Sequence, residues 1–131
     1  SFFGGVNWGL SICFDLRFPE IYQIQSPKAE VIINIANWPE KRHNHWKTLI
    51  QARAIENQVY FIGVNRTGID GNGLLYKESS MIVNPNGEIE KEILKESELK
   101  VYDLNLDLVK KVRDTFPLVD DRKKEFYKKY Y

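Results

Sequence analysis

Cysteine, methionine and histidine are rare in this sequence, and their scarcity excludes particular kinds of site. Its 131 residues include one cysteine, one methionine and two histidines. A single cysteine excludes a disulfide within the chain and is typical of a reducing compartment, so we predict a cytoplasmic location. Two histidines with one cysteine and no acidic cluster beside them do not make up the ligand set of a zinc site.

Net charge and long apolar runs are also missing. The formal net charge of +1 gives no overall attraction to nucleic acid or to an anionic membrane, so neither is expected as a partner. No apolar run is long enough to cross a bilayer, and the start of the chain lacks the basic region of a signal peptide. The remaining composition, 43% hydrophobic and 28% charged residues, is that of a globular domain.

The one cysteine occurs where an apolar run meets a polar one. Leu10 to Ile12 predict the end of a buried strand, and Phe18-Pro19-Glu20 predicts the first turn of a helix, where proline is tolerated. Cys13 would then lie in a sharp turn between strand and helix, where backbone N–H groups face a developing negative charge. Free cysteine is more often a small buried residue, but this position at a strand end favours a catalytic nucleophile.

Two charged residues follow the cysteine closely. Asp15 and Arg17 can form an ion pair or hydrogen-bond to the backbone of the turn. We interpret them as residues that hold the turn in shape, rather than as groups that take part in the chemistry.

Hydrophobic patterns along the chain predict an α/β layered fold. A loop is expected over residues 1–8, and the predicted strands and helices are strand 9–13, helix 19–25, strand 31–35, helix 44–58, strand 59–65, strands 88–94 and 101–106, and helix 108–116. Strands that alternate with helices indicate a sheet that is parallel at first and antiparallel later. We treat residues 1–131 as one domain, with residues 118–131 as a tail that docks on it.

Polar residues follow the next two predicted strands. Asn37 and Trp38 come after the second strand, and Asn65 and Arg66 lie at the end of the third. Because the carboxyl ends of parallel strands meet at one edge of a sheet, these residues are expected beside Cys13. Asparagine can hydrogen-bond a substrate amide or carboxylate and tryptophan can form the wall of a pocket, although an ordinary loop fits the same pattern.

The predicted long helix carries other polar residues. His43 and His45 lie two positions apart, so they point to different sides of a helix and cannot bind one metal together. Either histidine can form a Cys–His dyad with Cys13, provided that its imidazole lies within hydrogen-bonding reach of the thiol. Arg53 and Asn57 continue the buried stripe of the helix and are expected to make structural polar contacts.

Several blocks of sequence together resemble the carbon–nitrogen hydrolase (nitrilase) superfamily, and its omega-amidase-like branch most of all. The blocks are GLSICFDLRFPE, INIANWPEKRHNHWKTLIQARAIENQVYFIGVNRTGIDGNG, SSMIVNPNGE and DTFPLVDDRKKEFY, in the order and spacing of the family. The resemblance implies an α-β-β-α sandwich that often dimerises. It also implies a Glu–Lys–Cys triad that works without a metal or an organic cofactor.

The resemblance assigns roles to particular residues. Cys13 matches the nucleophile, the backbone N–H of Phe14 would contribute to the oxyanion hole, and Asn37 and Trp38 match positions near the substrate pocket. The catalytic Glu and Lys of the family precede the cysteine, whereas only twelve residues precede Cys13 and none is Glu or Lys. The chain is therefore expected to correspond to the C-terminal half of the sandwich and to be inactive alone.

Two functions are compatible with the sequence. The resemblance implies hydrolysis of a small-molecule amide, nitrile or carbamoyl compound through a thioester on Cys13, and the NWPEKRHNHW block favours short dicarboxylate monoamides. The alternative is a truncated, non-catalytic module that assembles with or binds another protein. In both cases the apolar face of the sheet needs a partner, either another copy of the chain or an absent N-terminal half.

Overall fold

The computed structural model describes residues 1–96 and 99–130 of the chain. The strands and helices are β1 (Phe2–Phe3), β2 (Val6–Ile12), α1 (Pro19–Gln25), β3 (Val31–Ala36), α2 (His43–Asn57), β4 (Tyr60–Asn65), β5 (Gly68–Ile69), β6 (Leu75–Tyr76), β7 (Met81–Val83), β8 (Leu94–Glu96), β9 (Leu99–Val101), α3 (Asp107–Thr115) and α4 (Lys124–Tyr127). A 3₁₀ turn, Cys13–Arg17, joins β2 to α1, and we call it the cysteine turn.

One five-stranded sheet forms the centre of the fold, in the order β1-β2-β3-β4-β7. β2, β3 and β4 run parallel, whereas β1 and β7 pair antiparallel with their neighbours. The connections between the parallel strands pass through α1 and α2, because a parallel pair needs a crossover. The predicted α/β layered class, parallel first and antiparallel later, is confirmed.

Both crossover helices pack on one face of this sheet. The core between them and the sheet includes Leu16, Tyr22, Ile32, Trp46, Ile50, Phe61 and Val83. The polar edge predicted for α2 is confirmed, since Arg53 and Asn57 are both buried. This packing brings the middle of α2 against the cysteine turn.

Among the described residues, those that pack on the other face of the sheet lie at one end of its strands. There the segment 102–109, which leads into α3, packs against Val31, Tyr60 and Ile82. At the carboxyl ends of the parallel strands, four apolar side chains are 43% to 64% exposed: Leu10, Ile12, Ile35 and Val64. We call these four residues the open apolar face.

The predicted strand ends differ from the observed ones around the cysteine. β2 begins at Val6 and ends at Ile12, so Cys13 starts the turn and is not the last residue of the strand. The predicted loop over residues 1–8 contains β1, which pairs with β2 as a short hairpin. Phe2 and Phe3 are exposed, so no apolar periodicity signals that strand.

Two further predicted strands are wrong over most of their length. Within residues 88–94, Ile89 forms a single bridge to Val83, and only Leu94 enters a strand. The predicted strand 101–106 is reduced to Val101, the last residue of β9. Both segments alternate in hydrophobicity, but alternation reports which side chains face a core, not whether a neighbouring strand is available for pairing.

The C-terminal segment contacts the ends of both crossover helices through one arginine. Arg122 donates hydrogen bonds to Ser26 Oγ (3.1 Å), Glu56 O (2.6 Å) and Asn57 Oδ1 (2.9 Å). Tyr131, the last residue of the predicted tail, lies outside the described residues. No helix within the described ranges combines the length and the apolar character needed to cross a membrane.

Candidate active site

Cys13 occupies a strained position at the start of the cysteine turn. Its φ angle is +42°, in the left-handed region that residues other than glycine rarely adopt. Backbone strain of this kind costs on the order of 1–3 kcal/mol and is concentrated at active sites. The side chain is half-buried and lies at the carboxyl end of β2, the edge of a parallel sheet at which α/β proteins generally bind ligands.

The two charged residues of the turn do not pair with each other. Asp15 Oδ2 accepts a hydrogen bond from the Ile12 N–H at 2.9 Å, which closes the front of the turn. Arg17 instead lies over the Trp38 ring, with its Cζ 4.7 Å from the ring centroid. The ion pair considered from the sequence is therefore wrong, whereas the hydrogen bond from the turn to Asp15 is present.

One backbone donor lies next to the thiol. The N–H of Phe14 precedes the first hydrogen bond of the 3₁₀ turn, so no carbonyl of the turn accepts from it. The Phe14 side chain is exposed and packs edge-on against Phe18, with ring centroids 5.4 Å apart. The N–H of Phe14 is thus available to an oxygen atom that approaches Cys13.

The residues after β3 lie beside the thiol, as the strand order predicts. The carbonyl oxygen of Asn37 is 4.0 Å from Cys13 Sγ. Trp38 is buried, packs against Trp46 at 5.3 Å between ring centroids, and donates from its Nε1 to the Arg42 carbonyl at 2.8 Å. The indole is therefore held in place beneath this loop, and the Arg17 guanidinium lies over its ring.

Asn65, at the end of β4, fastens the same loop. Its side-chain oxygen accepts from the Trp38 N–H at 2.7 Å, and its Nδ2 donates to the Trp38 carbonyl at 3.0 Å. The Nδ2 also donates to Ser79 Oγ at 3.0 Å. The sequence placed Asn65 near the site but did not show that it holds the backbone of Trp38.

The β5–β6 hairpin adds two residues that the sequence analysis missed. The Tyr76 hydroxyl donates to Asp70 Oδ2 at 2.9 Å, and the Arg66 guanidinium lies 4.7 Å from the centroid of the Tyr76 ring. This hydrogen bond is the main cause of the raised pKa of Tyr76, and burial and the charge on Asp70 raise it further. The pKa of Asp70 is lowered, chiefly because its carboxylate accepts from the Leu74 N–H. The feature of the sequence that could have indicated these two residues is a tyrosine close to a glycine-rich turn.

A buried polar layer lies beneath the turn. The Tyr22 hydroxyl donates to Ser11 Oγ at 3.0 Å, and Asn34 Nδ2 donates to the same oxygen at 2.9 Å. Burial is the main cause of the raised pKa of Tyr22, which keeps its hydroxyl protonated as a donor. These contacts join β2, β3 and α1 beneath the cysteine turn.

Neither histidine contacts the thiol. Within residues 1–96 and 99–130, no hydrogen bond joins Cys13 to His43 or His45, and none joins it to a glutamate or lysine side chain. The Cys–His dyad therefore lacks the contact that it requires. The described part of the chain also has no group of three or more His, Cys, Asp or Glu side chains arranged to hold a metal ion.

Sequence comparisons find relatives over nearly the whole chain. The family model described as carbon-nitrogen hydrolase matches residues 3–114. The chain is 40% identical over 118 residues to "Hydrolase in agr operon" of Staphylococcus aureus, covering 89% of this chain and 45% of that protein. It is 41% identical over 120 residues to 2-oxoglutaramate amidase of Paenarthrobacter nicotinovorans, covering 91% and 40%. It is also 47% identical over 78 residues to omega-amidase YafV of Escherichia coli K12, covering 60% and 30%. The chain thus spans less than half the length of these relatives.

Solved structures match the fold over the same extent. A CN-hydrolase superfamily protein from Xanthomonas campestris, with an arsenic adduct in its active site, has a TM-score of 0.81 and 32% identity, covering 94% of this chain and 49% of that one. A variant of the amidase from Nesterenkonia sp. AN1, with acrylamide added at its active-site cysteine, has a TM-score of 0.80 and 26% identity, covering 100% and 48%. Sequence and fold agree, and the chain belongs to the carbon–nitrogen hydrolase family.

Proposed function

We propose that Cys13 is the nucleophile of an amidase that hydrolyses the terminal amide of a short dicarboxylic acid. The observation that carries this proposal is the position of Cys13. Its half-buried thiol lies at the carboxyl end of a parallel sheet, on backbone with φ of +42°, beside the Phe14 N–H, which has no partner within the turn. A structural cysteine needs none of these features, and the names of the amidase relatives support the substrate class.

The chemistry follows from these positions. Cys13 Sγ attacks the amide carbon and forms a C–S bond, while the Phe14 N–H stabilises the resulting oxyanion. The proton lost by the thiol passes to the amide nitrogen, the C–N bond breaks, and ammonia leaves. Water attacks the thioester, the C–S bond breaks, and the acid and the thiol are released. One preorganised oxyanion donor contributes about 10²–10³ to kcat. Asn37 and Trp38 form the edge of the substrate pocket.

The reaction also needs a base and a second oxyanion donor. We assign these roles to a glutamate and a lysine outside this chain, on the partner that covers the open apolar face. Ile12 of that face precedes Cys13 directly, so a partner that packs on Ile12, Ile35 and Val64 also comes close to the Cys13 thiol. A general base contributes about 10²–10⁴-fold, so the 131 residues alone are expected to be inactive.

Two partners fit this face: a second copy of the chain, or the additional segment that the relatives possess. The relatives are more than twice as long as the part that this chain matches. We take the additional segment as the partner, and we use "the complete protein" for these 131 residues together with it. A second copy, which would form a homo-oligomer, is the other outcome that the association state of the chain tests.

The test compares the complete protein with its Cys13→Ala variant. The parent protein is expected to release ammonia from 2-oxoglutaramate and to show an acyl adduct on Cys13 by mass spectrometry. Cys13→Ala is expected to lose at least about 10³-fold in kcat, because removal of a nucleophile leaves only binding and electrostatic stabilisation. Full turnover by Cys13→Ala would contradict the proposal. A folded parent that binds amides or proteins without turnover would favour the non-catalytic module instead.

A further inference from the structure

Arg53 lies buried directly behind the cysteine turn. Its Nε and Nη2 both donate to the carbonyl oxygen of Leu16, at 3.2 Å and 3.0 Å. Leu16 belongs to the turn and is fully buried, and Arg53 is only 6% exposed. Two donors of a rigid guanidinium that converge on one oxygen define both its distance and its direction. A charged side chain from the middle of α2 therefore holds a single backbone group of the turn.

The arginine is itself held in place. Glu56 Oε1 accepts from Arg53 Nη1 at 2.9 Å, and Asn57 Nδ2 donates to the Arg53 carbonyl at 2.9 Å. The guanidinium also lies over the Tyr22 ring, 5.6 Å from its centroid. A buried charge is expensive unless it is paired and hydrogen-bonded, and Glu56 provides that pairing. Nε and Nη2 remain directed at the turn.

Stability alone gives a weak reason for this arrangement. Apolar side chains of similar volume often replace a buried ion pair at little or no loss of stability. The turn, by contrast, needs support, because the left-handed backbone of Cys13 persists only where its surroundings hold it. The Ile12–Asp15 hydrogen bond holds the front of the turn, and Arg53 holds its back through Leu16. Cys13 lies between these two anchors.

We infer that Arg53 is a positioning residue for the reaction of Cys13. By holding the Leu16 carbonyl, it keeps the cysteine turn in its strained shape and so fixes the thiol and the Phe14 N–H relative to the substrate. This inference rests on the proposed function, because it assigns Arg53 to the same site. A positioning role differs from a general packing role because it leaves the substrate-binding groups unaffected. The inference therefore predicts a fall in kcat rather than a rise in KM.

The test uses the complete protein with Arg53→Met and Arg53→Lys. Arg53→Met is expected to lower kcat about 10–100-fold, since a displacement near 1 Å of a reacting group has that effect, while KM changes less than about threefold. Arg53→Lys retains one donor for Leu16 and is expected to recover part of the loss. Lys47→Met, an exposed change on the same helix, is the matched control and is expected to stay within about twofold of the parent.

Folding and positioning are separated by normalising kcat to the folded fraction, measured by near-UV circular dichroism. A normalised kcat of Arg53→Met equal to that of the parent would overturn the inference. A rise in KM with kcat unchanged would also overturn it. Should Arg53→Met fail to fold, Arg53→Lys and Glu56→Gln decide by the same split between kcat and KM, with a smaller fall in kcat expected for each.

A second readout does not depend on turnover. Hydrogen exchange at the Phe18 amide, which donates to the Asp15 carbonyl of the turn at 2.9 Å, is expected to be at least about tenfold faster in Arg53→Met or Arg53→Lys, with exchange in β3 unchanged, because local opening follows the loss of local hydrogen bonds. Unchanged exchange in the turn would overturn the inference. A parent without amide turnover would contradict the proposed function, while the exchange result would still decide whether Arg53 holds the turn.

Discussion

Asn65 brackets the backbone of Trp38, accepting from its N–H at 2.7 Å and donating to its carbonyl at 3.0 Å. The two residues follow neighbouring parallel strands, so one side chain joins the carboxyl ends of β3 and β4. Because the preceding Asn37 carbonyl lies 4.0 Å from Cys13 Sγ, this clamp also holds the backbone that lies beside the thiol.

Asn65→Asp is expected to destabilise the complete protein by about 1–3 kcal/mol, because a carboxylate oxygen would replace the donor that now faces the buried Trp38 carbonyl. Urea denaturation measures the free energy of unfolding. Asn44→Asp, at an exposed position near the start of α2, is the control and is expected to change it by less than about 0.5 kcal/mol. Equal effects of the two changes would show that the clamp does not stabilise the fold.

Gly63→Ala is expected to destabilise the protein by about 1–3 kcal/mol through overpacking. A Cβ at this position in β4 would lie 2.8 Å from Trp46 Cζ2 and closer still to Ile50 Cδ1. Ile50→Val removes that Cδ1, so the double variant is expected to lose less than the sum of the single losses. Thermal or urea unfolding of the four proteins completes the cycle, and strictly additive losses would contradict the predicted clash.

The hydrogen bond between Tyr76 and Asp70 is expected to stabilise the β5–β6 hairpin only between acidic and strongly alkaline pH. The lowered pKa of Asp70 means that its contribution is complete above the ordinary aspartate value, about 4, and is lost as pH falls through the lowered value. The raised pKa of Tyr76 means that its contribution is complete below about 10 and is lost as pH rises through the raised value.

Asp70→Asn tests this dependence on pH. The difference in unfolding free energy between the parent and the variant is expected to be constant from about pH 5 to pH 9 and to shrink below about pH 4. A difference that stays constant down to pH 2.5 would mean that the Asp70 carboxylate has no favourable interaction in the folded protein.

The open apolar face is expected to make the 131-residue chain associate when it is produced alone. Exposed apolar side chains that form one patch on a sheet are typical of an interface. Ile35→Lys with Val64→Lys is expected to shift the chain towards monomer in analytical ultracentrifugation. Ile24→Lys, at a 79% exposed position of α1, is the control and should leave the distribution unchanged. Association that survives the double change would place the contact elsewhere.

Much of the fold could be predicted because its signals are local. The apolar runs that begin near Val31 and Val59 predict buried strands, and the stripe from Trp46 to Asn57 predicts the helix between them. The general rule that chemistry collects at strand ends then placed Asn37 beside Cys13. The strands predicted after residue 88 failed because pairing depends on a neighbour that the local pattern does not reveal.

The alternation of strands and helices from β2 to β4 could be read from the sequence alone, as could the turn that holds Cys13 and the edge of the sheet at which the candidate site lies. Two contacts emerged only from the packing of whole elements: Arg53 holds the Leu16 carbonyl, 37 residues away in the chain, and Asn65 holds Trp38. Periodicity is a property of neighbouring residues, so it survives in the sequence. A hydrogen bond between distant residues depends on how whole elements pack, and many polar side chains on a buried face satisfy the same pattern.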